Sequence, residues 1–254
     1  GKSTLTNSLI EFCLTAGKKV GVIAVDPTSP FTGGALLGDR VRMNEYAGDK
    51  RVFLRSLGNH CALGGLSSKV QEIGDVLAAS GKDYVFFETV GVGQGEHDII
   101  NVADISIVVL VPESGDEIQL MKAGLIEIAD IFVINKSDRE GSNRIASTLK
   151  NILHIFKKHN RREPSVFNTV ASKKEGILEL FNGIELFLRM MDKEGILESR
   201  KLERYRKRVF DIIQNSLETS FWSSGKQKQL IELTKNIDGT SIDPNTVAKQ
   251  LLQG

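Results

Sequence analysis

The sequence predicts an α/β protein built on a mostly parallel β-sheet flanked by helices, with a helical extension towards its C-terminal end. Continuous apolar runs of strand length, such as Val20–Val25, alternate with amphipathic runs of helix length, such as Ser142–Lys158. A continuous apolar run is typical of a strand buried on both faces. Strands that alternate with helices favour parallel pairing through crossover connections. Beyond residue 192 the strand pattern stops and an apolar stripe appears on a charged segment, which predicts the helical extension.

The predicted elements follow one another in a regular order. Strands are expected at Val20–Val25, Val52–Leu54, Tyr84–Phe87, Ile105–Val111, Ile131–Ile134 and Ser165–Phe167. Helices are expected at Ser3–Ala16, Ser67–Ala79, Glu117–Ile128, Ser142–Lys158 and Glu175–Met191, with short ones near Gln227–Thr234 and Asn245–Leu252. Apolar residues three or four positions apart indicate the helices. In such a sheet, ligands bind at the carboxyl ends of the strands.

Composition and charge exclude several classes of protein. Of the 254 residues 41% are hydrophobic, 26% are charged and 6% are aromatic, which is typical of a globular protein with a core. The net charge of +1 gives no overall field that would attract nucleic acid or a membrane, so we expect neither as a partner. Two cysteines, Cys13 and Cys61, are too few for a disulfide framework. They fit a reducing compartment, and we expect the cytoplasm.

The first residues, Gly1, Lys2, Ser3 and Thr4, match the end of a phosphate-binding loop. That loop reads G-x-x-x-x-G-K-[ST] between a strand and a helix, and only its last three positions are found here. We therefore expect the chain to be a fragment whose first strand and first glycine lie upstream. In this motif Gly1 and Thr4 would contact phosphate. Lys2 would contact phosphate and assist catalysis, and Ser3 would bind Mg²⁺.

A second motif, Asn135-Lys136-Ser137-Asp138, follows the apolar run that ends at Ile134. Guanine presents an N1–H and a 2-amino group side by side, and a single carboxylate can accept both hydrogen bonds. Adenine would leave that carboxylate unpaired, at a cost in affinity. The motif therefore predicts that Asp138 reads the base, Asn135 ties the loop to its neighbours, and the stem of Lys136 covers the purine. An ordinary polar turn is the alternative.

Carboxylates follow two other predicted strands. Glu88 comes directly after Tyr84–Phe87, and Gly91 three residues later offers an N–H near a γ-phosphate. Asp26 follows Val20–Val25, and Asp39 lies further along the same polar loop. Mg²⁺ prefers hard oxygen ligands and keeps several waters, so a serine hydroxyl and one or a few carboxylates suffice. We expect Glu88 at the metal and Asp26 and Asp39 near it, although a capping or turn role for the two aspartates is the alternative.

A last loop follows the predicted strand Ser165–Phe167. Its backbone N–H groups, at Ala171 and Ser172, are candidates to meet the guanine carbonyl oxygen. Four motifs therefore follow one another: Gly1–Thr4, Glu88–Gly91, Asn135–Asp138 and the loop with Ala171 and Ser172. Together they predict a domain of the phosphate-loop NTPase class over residues 1–192 that binds GTP or GDP with Mg²⁺.

Longer stretches of the sequence resemble the MeaB/ArgK family of GTPases, which are associated with methylmalonyl-CoA mutase. The matching segments are Ala24–Pro30, Thr32–Met43, Glu88–Gln94, Lys122–Asp130 and Ala248–Leu252. The resemblance implies a GTPase that acts as a homodimer. It implies a role in loading, protecting or reactivating an adenosylcobalamin-dependent acyl-CoA mutase. An alternative is a phosphate-loop kinase linked to lysine, arginine and ornithine transport.

The resemblance also implies roles for individual residues. Asp26, Asp39 and Glu88 match the family's Mg²⁺-region carboxylates, and Lys122 lies in a loop that responds to the partner and is a candidate catalytic group. Val92 stands where a Ras-like protein has its water-positioning glutamine, which predicts slow intrinsic hydrolysis that a partner accelerates. The helical segment over residues 193–254 either packs on its own domain or forms a dimer.

Overall fold

A computed structural model describes residues 1–27, 46, 48–59, 68–89, 101–112, 125–156, 163–235 and 243–253. The strands are β1 (Val20–Pro27), β2 (Val52–Asn59), β3 (Tyr84–Thr89), β4 (Ile107–Leu110), β5 (Ile131–Asn135) and β6 (Ser165–Thr169). The helices of the first part are α1 (Lys2–Thr15), α2 (Ser68–Ala79), α3 (Leu125–Ile128), α4 (Ser142–Phe156) and α5 (Ile177–Lys193). They are followed by α6 (Ile196–Phe221), α7 (Ser224–Thr234) and α8 (Pro244–Gln253). A 3₁₀ turn spans Ala171–Lys173.

The strands form two parallel three-stranded sheets, in the orders β2–β1–β3 and β4–β5–β6. Among the described strands, all pairings within each sheet are parallel, which confirms the predicted sheet type. The register aligns the strand ends that carry polar residues. Ala24 on β1 pairs with Glu88 on β3, and Asn135 on β5 pairs with Thr169 on β6. The sheets therefore bring predicted site residues to their carboxyl edges.

The central strands are more buried than the edge strands. All five residues of β5 are buried, and so is β1 from Val20 to Val25. In β3 all six residues are only partly buried, and in β4 only the last residue is buried. The apolar runs Tyr84–Phe87 and Ile105–Val111, like Val20–Val25, predict strands buried on both faces, and for these two strands the prediction was wrong. Each lies at the end of its sheet and pairs with one neighbour in the described part of the chain. An apolar run alone does not distinguish an edge strand from a central one.

Helix α1 brings the two sheets into one core. Its buried residues Leu5, Leu9, Ile10 and Cys13 share a cluster with residues of β1, β5 and α5. Burying each large side chain contributes roughly 1.5–3 kcal/mol relative to leaving it exposed. The N-terminus of α1 is therefore held by a core to which both sheets contribute.

The opposite faces of the central strands are covered by other helices. Helix α4 packs three buried residues, Ile145, Leu149 and Leu153, against Phe132 and Ile134 of β5. Helix α2 packs against the other face of β1 through two residues. Of the predicted helix Glu117–Ile128, only α3 lies within the described residues. The sheets are therefore flanked by helices, as predicted.

The chain divides into two compact units, residues 1–201 and residues 202–254. The division lies within α6, beyond the boundary expected after residue 192. The first turns of α6 belong to the first unit, where Arg200 contacts the segments that precede β4 and β5. Its guanidinium contacts both carboxylate oxygens of Asp130, at 2.9 and 2.8 Å, and donates to the carbonyl oxygen of Asp104. A bidentate arginine–carboxylate pair is among the stronger ion pairs because two parallel hydrogen bonds add to the charge.

The second unit is helical. Ser223 caps α7 by accepting a hydrogen bond from the amide of Lys226 at 3.3 Å. The Lys226 ammonium in turn donates to the carbonyl oxygen of Leu251 on α8. Val247 and Leu251 are the buried residues of α8. Within the described residues, no helix combines the length and the apolar character that crossing a membrane requires.

Gly176 offers a direct test of the packing after β6. Its φ is +74°, and a Cβ atom there would lie 2.2 Å from the carbonyl oxygen of Asn168. We expect Gly176→Ala to destabilise the protein by about 2–4 kcal/mol, since a left-handed backbone costs an L-residue roughly 1–2 kcal/mol and the clash adds to it. Urea unfolding followed by circular dichroism would measure the change.

Gly195 provides the matched control. It has a φ of +71° but has no atom within 4 Å of the position that a Cβ would take. Gly195→Ala should therefore cost only the backbone term, about 1–2 kcal/mol. Equal losses of stability in the two variants would contradict the proposed clash.

Candidate functional site

The candidate site lies where the N-terminus of α1 meets the carboxyl ends of β5 and β6. Gly1 precedes α1, Asn135 ends β5, and Ala171 opens the 3₁₀ turn that follows β6. These segments are far apart in the sequence, and hydrogen bonds join them directly. The structure therefore brings together three of the four sequence motifs at one edge.

The side chain of Asn135 is the centre of this arrangement. Its Nδ2 donates to the carbonyl oxygen of Gly1 at 3.2 Å. Its Oδ1 accepts from the Thr169 hydroxyl at 3.2 Å, the Ala171 amide at 3.0 Å and the Lys136 amide at 2.9 Å. Asn135 is only 2% exposed, so these partners replace water. A buried amide that lost them would cost about 1–3 kcal/mol for each polar group left unsatisfied.

Gly1 is required at the start of α1 because the amide of Asn135 lies so close. A Cβ atom on residue 1 would lie 2.6 Å from Asn135 Nδ2, a distance that real Cβ atoms essentially never show. Any larger residue would push the Asn135 side chain out of its hydrogen bonds. The glycine of the Gly-Lys-Ser motif therefore has a packing role as well as its predicted role beside phosphate.

Helix α1 presents an N-terminus suited to an anion. The first amides of a helix have no intrahelical acceptor and carry the positive end of its dipole. Lys2, Ser3 and Thr4 form the first turn, which contains no acidic residue. Further along the helix, the Ser8 hydroxyl donates to the carbonyl oxygen of Ala171 at 2.9 Å. This contact fixes α1 to the turn that follows β6.

The turn after β6 is closed on itself. Val170 and Glu175 form an isolated antiparallel bridge, and the amide of Lys173 donates to the carbonyl oxygen of Val170 at 2.8 Å. The amide of Ala171 donates to Asn135, as described above. For contact with a base carbonyl, Ser172 is therefore the better placed of the two predicted donors.

Asp138 lies in the loop after β5 and forms an ion pair. Its Oδ2 accepts a hydrogen bond from the Lys173 ammonium at 2.9 Å. This hydrogen bond and the positive charge of Lys173 hold the pKa of Asp138 below its ordinary value, and the carboxylate raises the pKa of Lys173 in return. Both side chains remain partly exposed, at 39% and 56%. Asp138 is thus an ionised acceptor that a ligand can reach.

Lys136 has an unusual backbone for a lysine. Its φ is +58°, in the left-handed region. A residue with a Cβ atom adopts this conformation at a cost, and such residues are concentrated at functional sites. The amide of Lys136 donates to Asn135 Oδ1, which helps to hold the residue there.

Candidate metal ligands lie near the carboxyl ends of β1 and β3, in the first sheet, and on α1. Glu88 is the fifth of the six residues of β3, and its Oε2 is buried. Asp26 lies near the end of β1 in the same sheet, where its backbone pairs with Gly58. Within the described residues, no three acidic, histidine or cysteine side chains form a metal cluster. The hydroxyl of Ser3 and the carboxylate of Glu88 are hard oxygen donors of the kind that Mg²⁺ uses together with phosphate oxygens.

Some predicted residues lie outside the described part of the chain, namely Asp39, Gly91 and Lys122. Conversely, the structure adds two residues that sequence reasoning missed, Ser8 and Lys173. Ser8 lies between Leu5 and Leu9 on the predicted apolar face of α1. A polar residue at such a position indicates a buried hydrogen bond and could have been noticed. Lys173 contacts an aspartate 35 positions away, and no local pattern marks such a contact.

Comparisons with known proteins show which proteins this chain is similar to. A relative from Pyrococcus abyssi, a GTPase by its provisional name, is 41% identical over 256 residues, which cover 100% of this chain and 79% of the relative. GTPase ArgK of Escherichia coli is 34% identical over 259 residues, covering 99% of this chain and 77% of the relative. The crystal structure of LAO/AO transport system kinase has the same fold, with a TM-score of 0.74 at 24% identity. That match covers 100% of this chain and 77% of the other.

The family model described as methylmalonyl-CoA mutase-associated GTPase MeaB matches residues 1–226. This match covers most of the chain and includes every motif that converges on Asn135. The chain therefore belongs to the MeaB family of GTPases.

Proposed function

We propose that this protein binds GTP at the edge formed by α1, β5 and the turn after β6, and hydrolyses it with the help of Mg²⁺. We further propose that the cycle assists the assembly, protection or reactivation of an adenosylcobalamin-dependent acyl-CoA mutase. The observation that carries the proposal is the hydrogen bonding of Asn135 to both Gly1 and Ala171. It joins a phosphate-binding helix end to the loops that would hold a base.

The choice of guanine rests on Asp138. An ionised carboxylate with an accessible oxygen matches the adjacent N1–H and 2-amino donors of guanine. Adenine offers an acceptor at N1 and has no 2-amino group, so it would leave the carboxylate desolvated and unpaired. Lys136, held in its left-handed conformation, would lay its stem over the purine. Ser172 would meet the base carbonyl through its amide.

The phosphates would lie at the N-terminus of α1, where the amides of the first turn and the Lys2 ammonium favour negative charge. Ser3 and Glu88 would hold Mg²⁺, with Asp26 and Asp39 nearby. Bound there, the ion would neutralise charge that develops on the phosphates during hydrolysis. Gly91 would approach the γ-phosphate through its amide.

Slow intrinsic hydrolysis follows from the sequence after Gly91. Val92 has no polar group with which to orient an attacking water, whereas glutamine at this place in Ras-like proteins has one. A partner that ordered the surrounding loops, including the one that contains Lys122, would supply what is missing. The family description names methylmalonyl-CoA mutase as the associated enzyme, and we infer a mutase of this type as the partner.

The long helix α6 supports a homodimer. It has no buried residue along its length. Large apolar side chains are exposed on it, namely Leu202, Tyr205, Val209, Phe210, Ile212, Ile213 and Leu217. Charged residues of both signs lie between them, so two copies of this surface would not simply repel each other. We therefore infer that α6 forms the dimer contact.

We also infer a cytoplasmic location. Cys13 is a free thiol buried in the core, as expected for a protein that is kept reduced.

Substitution of Asp138 tests base recognition. We expect Asp138→Ala to lower the affinity for GTP by about 10²- to 10⁴-fold, because two hydrogen bonds to a charged group are lost. Affinity for ATP should change little, so the preference for GTP disappears. Glu140→Ala, in the same loop, is the control and should bind as the wild type does. Calorimetry with both nucleotides measures the ratio, and an unchanged ratio in Asp138→Ala contradicts the assignment.

Single-turnover hydrolysis tests the link to the mutase. We expect the full-length protein, with its phosphate-binding loop complete, to hydrolyse GTP slowly alone and on the order of tenfold or more faster with an adenosylcobalamin-dependent methylmalonyl-CoA mutase, because the partner orders the catalytic loops. Rapid-quench measurement with and without the mutase gives both rates. Bovine serum albumin at the same concentration is the control. Fast hydrolysis that ignores the mutase would exclude this part of the proposal.

Charge placed on α6 tests the dimer. We expect the double substitution Tyr205→Asp and Ile213→Asp to convert a dimer of 27.9 kDa chains into a monomer, since each chain would bury two unpaired carboxylates in the interface. Light scattering during gel filtration measures the mass. Ile231→Asp, at an exposed isoleucine of α7, is the control and should remain dimeric. A monomeric wild type at micromolar concentration would refute the dimer.

A further inference from the structure

The ion pair between Lys173 and Asp138 joins two loops across 35 residues of sequence. The Nζ atom of Lys173 lies 2.9 Å from Oδ2 of Asp138. Among the described residues, Lys173 is the one charged side chain that lowers the pKa of Asp138. The charged neighbours of Asp138 in its own loop are Lys136, Arg139 and Glu140, and Glu175 lies near Lys173. A surface pair of this kind contributes little to stability, roughly 0–1 kcal/mol.

The backbone of Lys173 is fixed. It ends the 3₁₀ turn, its amide is hydrogen-bonded to Val170, and the following residue, Lys174, has a left-handed φ of +61°. The same turn is tied to the hydroxyl of Ser8 and to the side chain of Asn135. The ammonium of Lys173 therefore extends towards Asp138 from an anchored point.

The chemistry of a carboxylate allows lysine and guanine to bind together. Two carboxylate oxygens offer about four acceptor sites. A guanine edge would use one site on each oxygen, and Lys173 uses one on Oδ2. The terminal torsion of an aspartate is broad and has no strongly preferred angle. An ammonium fixed at one oxygen restricts that torsion before the base arrives.

We propose that Lys173 is a positioning residue that holds the carboxylate of Asp138 in the orientation that guanine requires. The inference rests on the proposed binding of guanine nucleotides by Asp138. Lys173 would act through the carboxylate, to which its Nζ donates, so its effect depends on how many donors the base presents. Hypoxanthine retains the N1–H of guanine and lacks the 2-amino group. Its nucleotide therefore depends less on the orientation of both oxygens.

Lys173→Met tests the inference because methionine keeps the length of the side chain and removes its charge. We expect the affinity for GDP to fall by about two- to fivefold, the scale of a partly exposed ion pair. The affinity for inosine diphosphate should fall less, so the ratio of the two affinities decreases. Lys173→Arg retains a cation and should restore most of the ratio. Calorimetry with the full chain measures both nucleotides.

Lys174→Met is the matched control. Lys174 is the next residue, is similarly exposed at 63%, and pairs with Glu11 on α1 rather than with Asp138. It should bind both nucleotides as the wild type does. The pH profile gives a second readout. Without Lys173 the pKa of Asp138 rises towards its ordinary value of 3.8, so Lys173→Met should lose GDP affinity relative to wild type as the pH approaches 4, and Lys174→Met should not.

The outcomes separate the two proposals. If the wild type prefers GDP to ADP and Lys173→Met binds GDP and inosine diphosphate unchanged, the pair is a surface contact only and the inference is wrong. If Lys173→Met binds GDP more tightly, Lys173 competes with the base and the inference is also wrong. If the wild type does not distinguish GDP from ADP, the proposed guanine site fails and the inference fails with it.

Discussion

The buried side chain of Asn135 connects parts of the protein that are remote in the sequence. Its amide nitrogen bonds to Gly1, and its carbonyl oxygen bonds to Thr169, Ala171 and Lys136. Because the group is buried, each bond replaces one to water, and losing any of them leaves an uncompensated polar atom. The relative positions of the start of α1, the loop after β5 and the turn after β6 therefore depend on a single side chain.

This dependence requires a rigid frame, and the common core provides it. Helix α1 contributes to a cluster shared with β1 of one sheet and β5 of the other. A close-packed core transmits small displacements rather than absorbing them. The start of α1 cannot move relative to β5 without disturbing that packing. The hydrogen bonds of Asn135 are of ordinary length. They define the geometry of the site because apolar packing limits the other positions that α1 and β5 can take.

Much of the fold follows from local patterns in the sequence. Strand β5, the buried stretch Val20–Val25 of β1, and helices such as α1 and α5 appear close to their predicted limits because apolar spacing directly reflects burial. The half-burial of β3 and β4 was not predictable, since it depends on position in the sheet. Lys173 and Ser8 were missed for a similar reason. Their partners lie 35 and 163 residues away, and such contacts follow from topology rather than from neighbouring residues.

At Lys136 the backbone conformation favours glycine, whereas the proposed function requires the lysine side chain. A φ of +58° is easily reached by glycine and costs a lysine about 1–2 kcal/mol. The hydrogen bond from its amide to Asn135 would survive replacement by glycine, so the backbone alone does not explain a lysine here. What glycine lacks is the long aliphatic stem. Replacing Lys136 by glycine would therefore raise stability but remove the stem proposed to cover the purine. Stability and activity make opposite demands on this position.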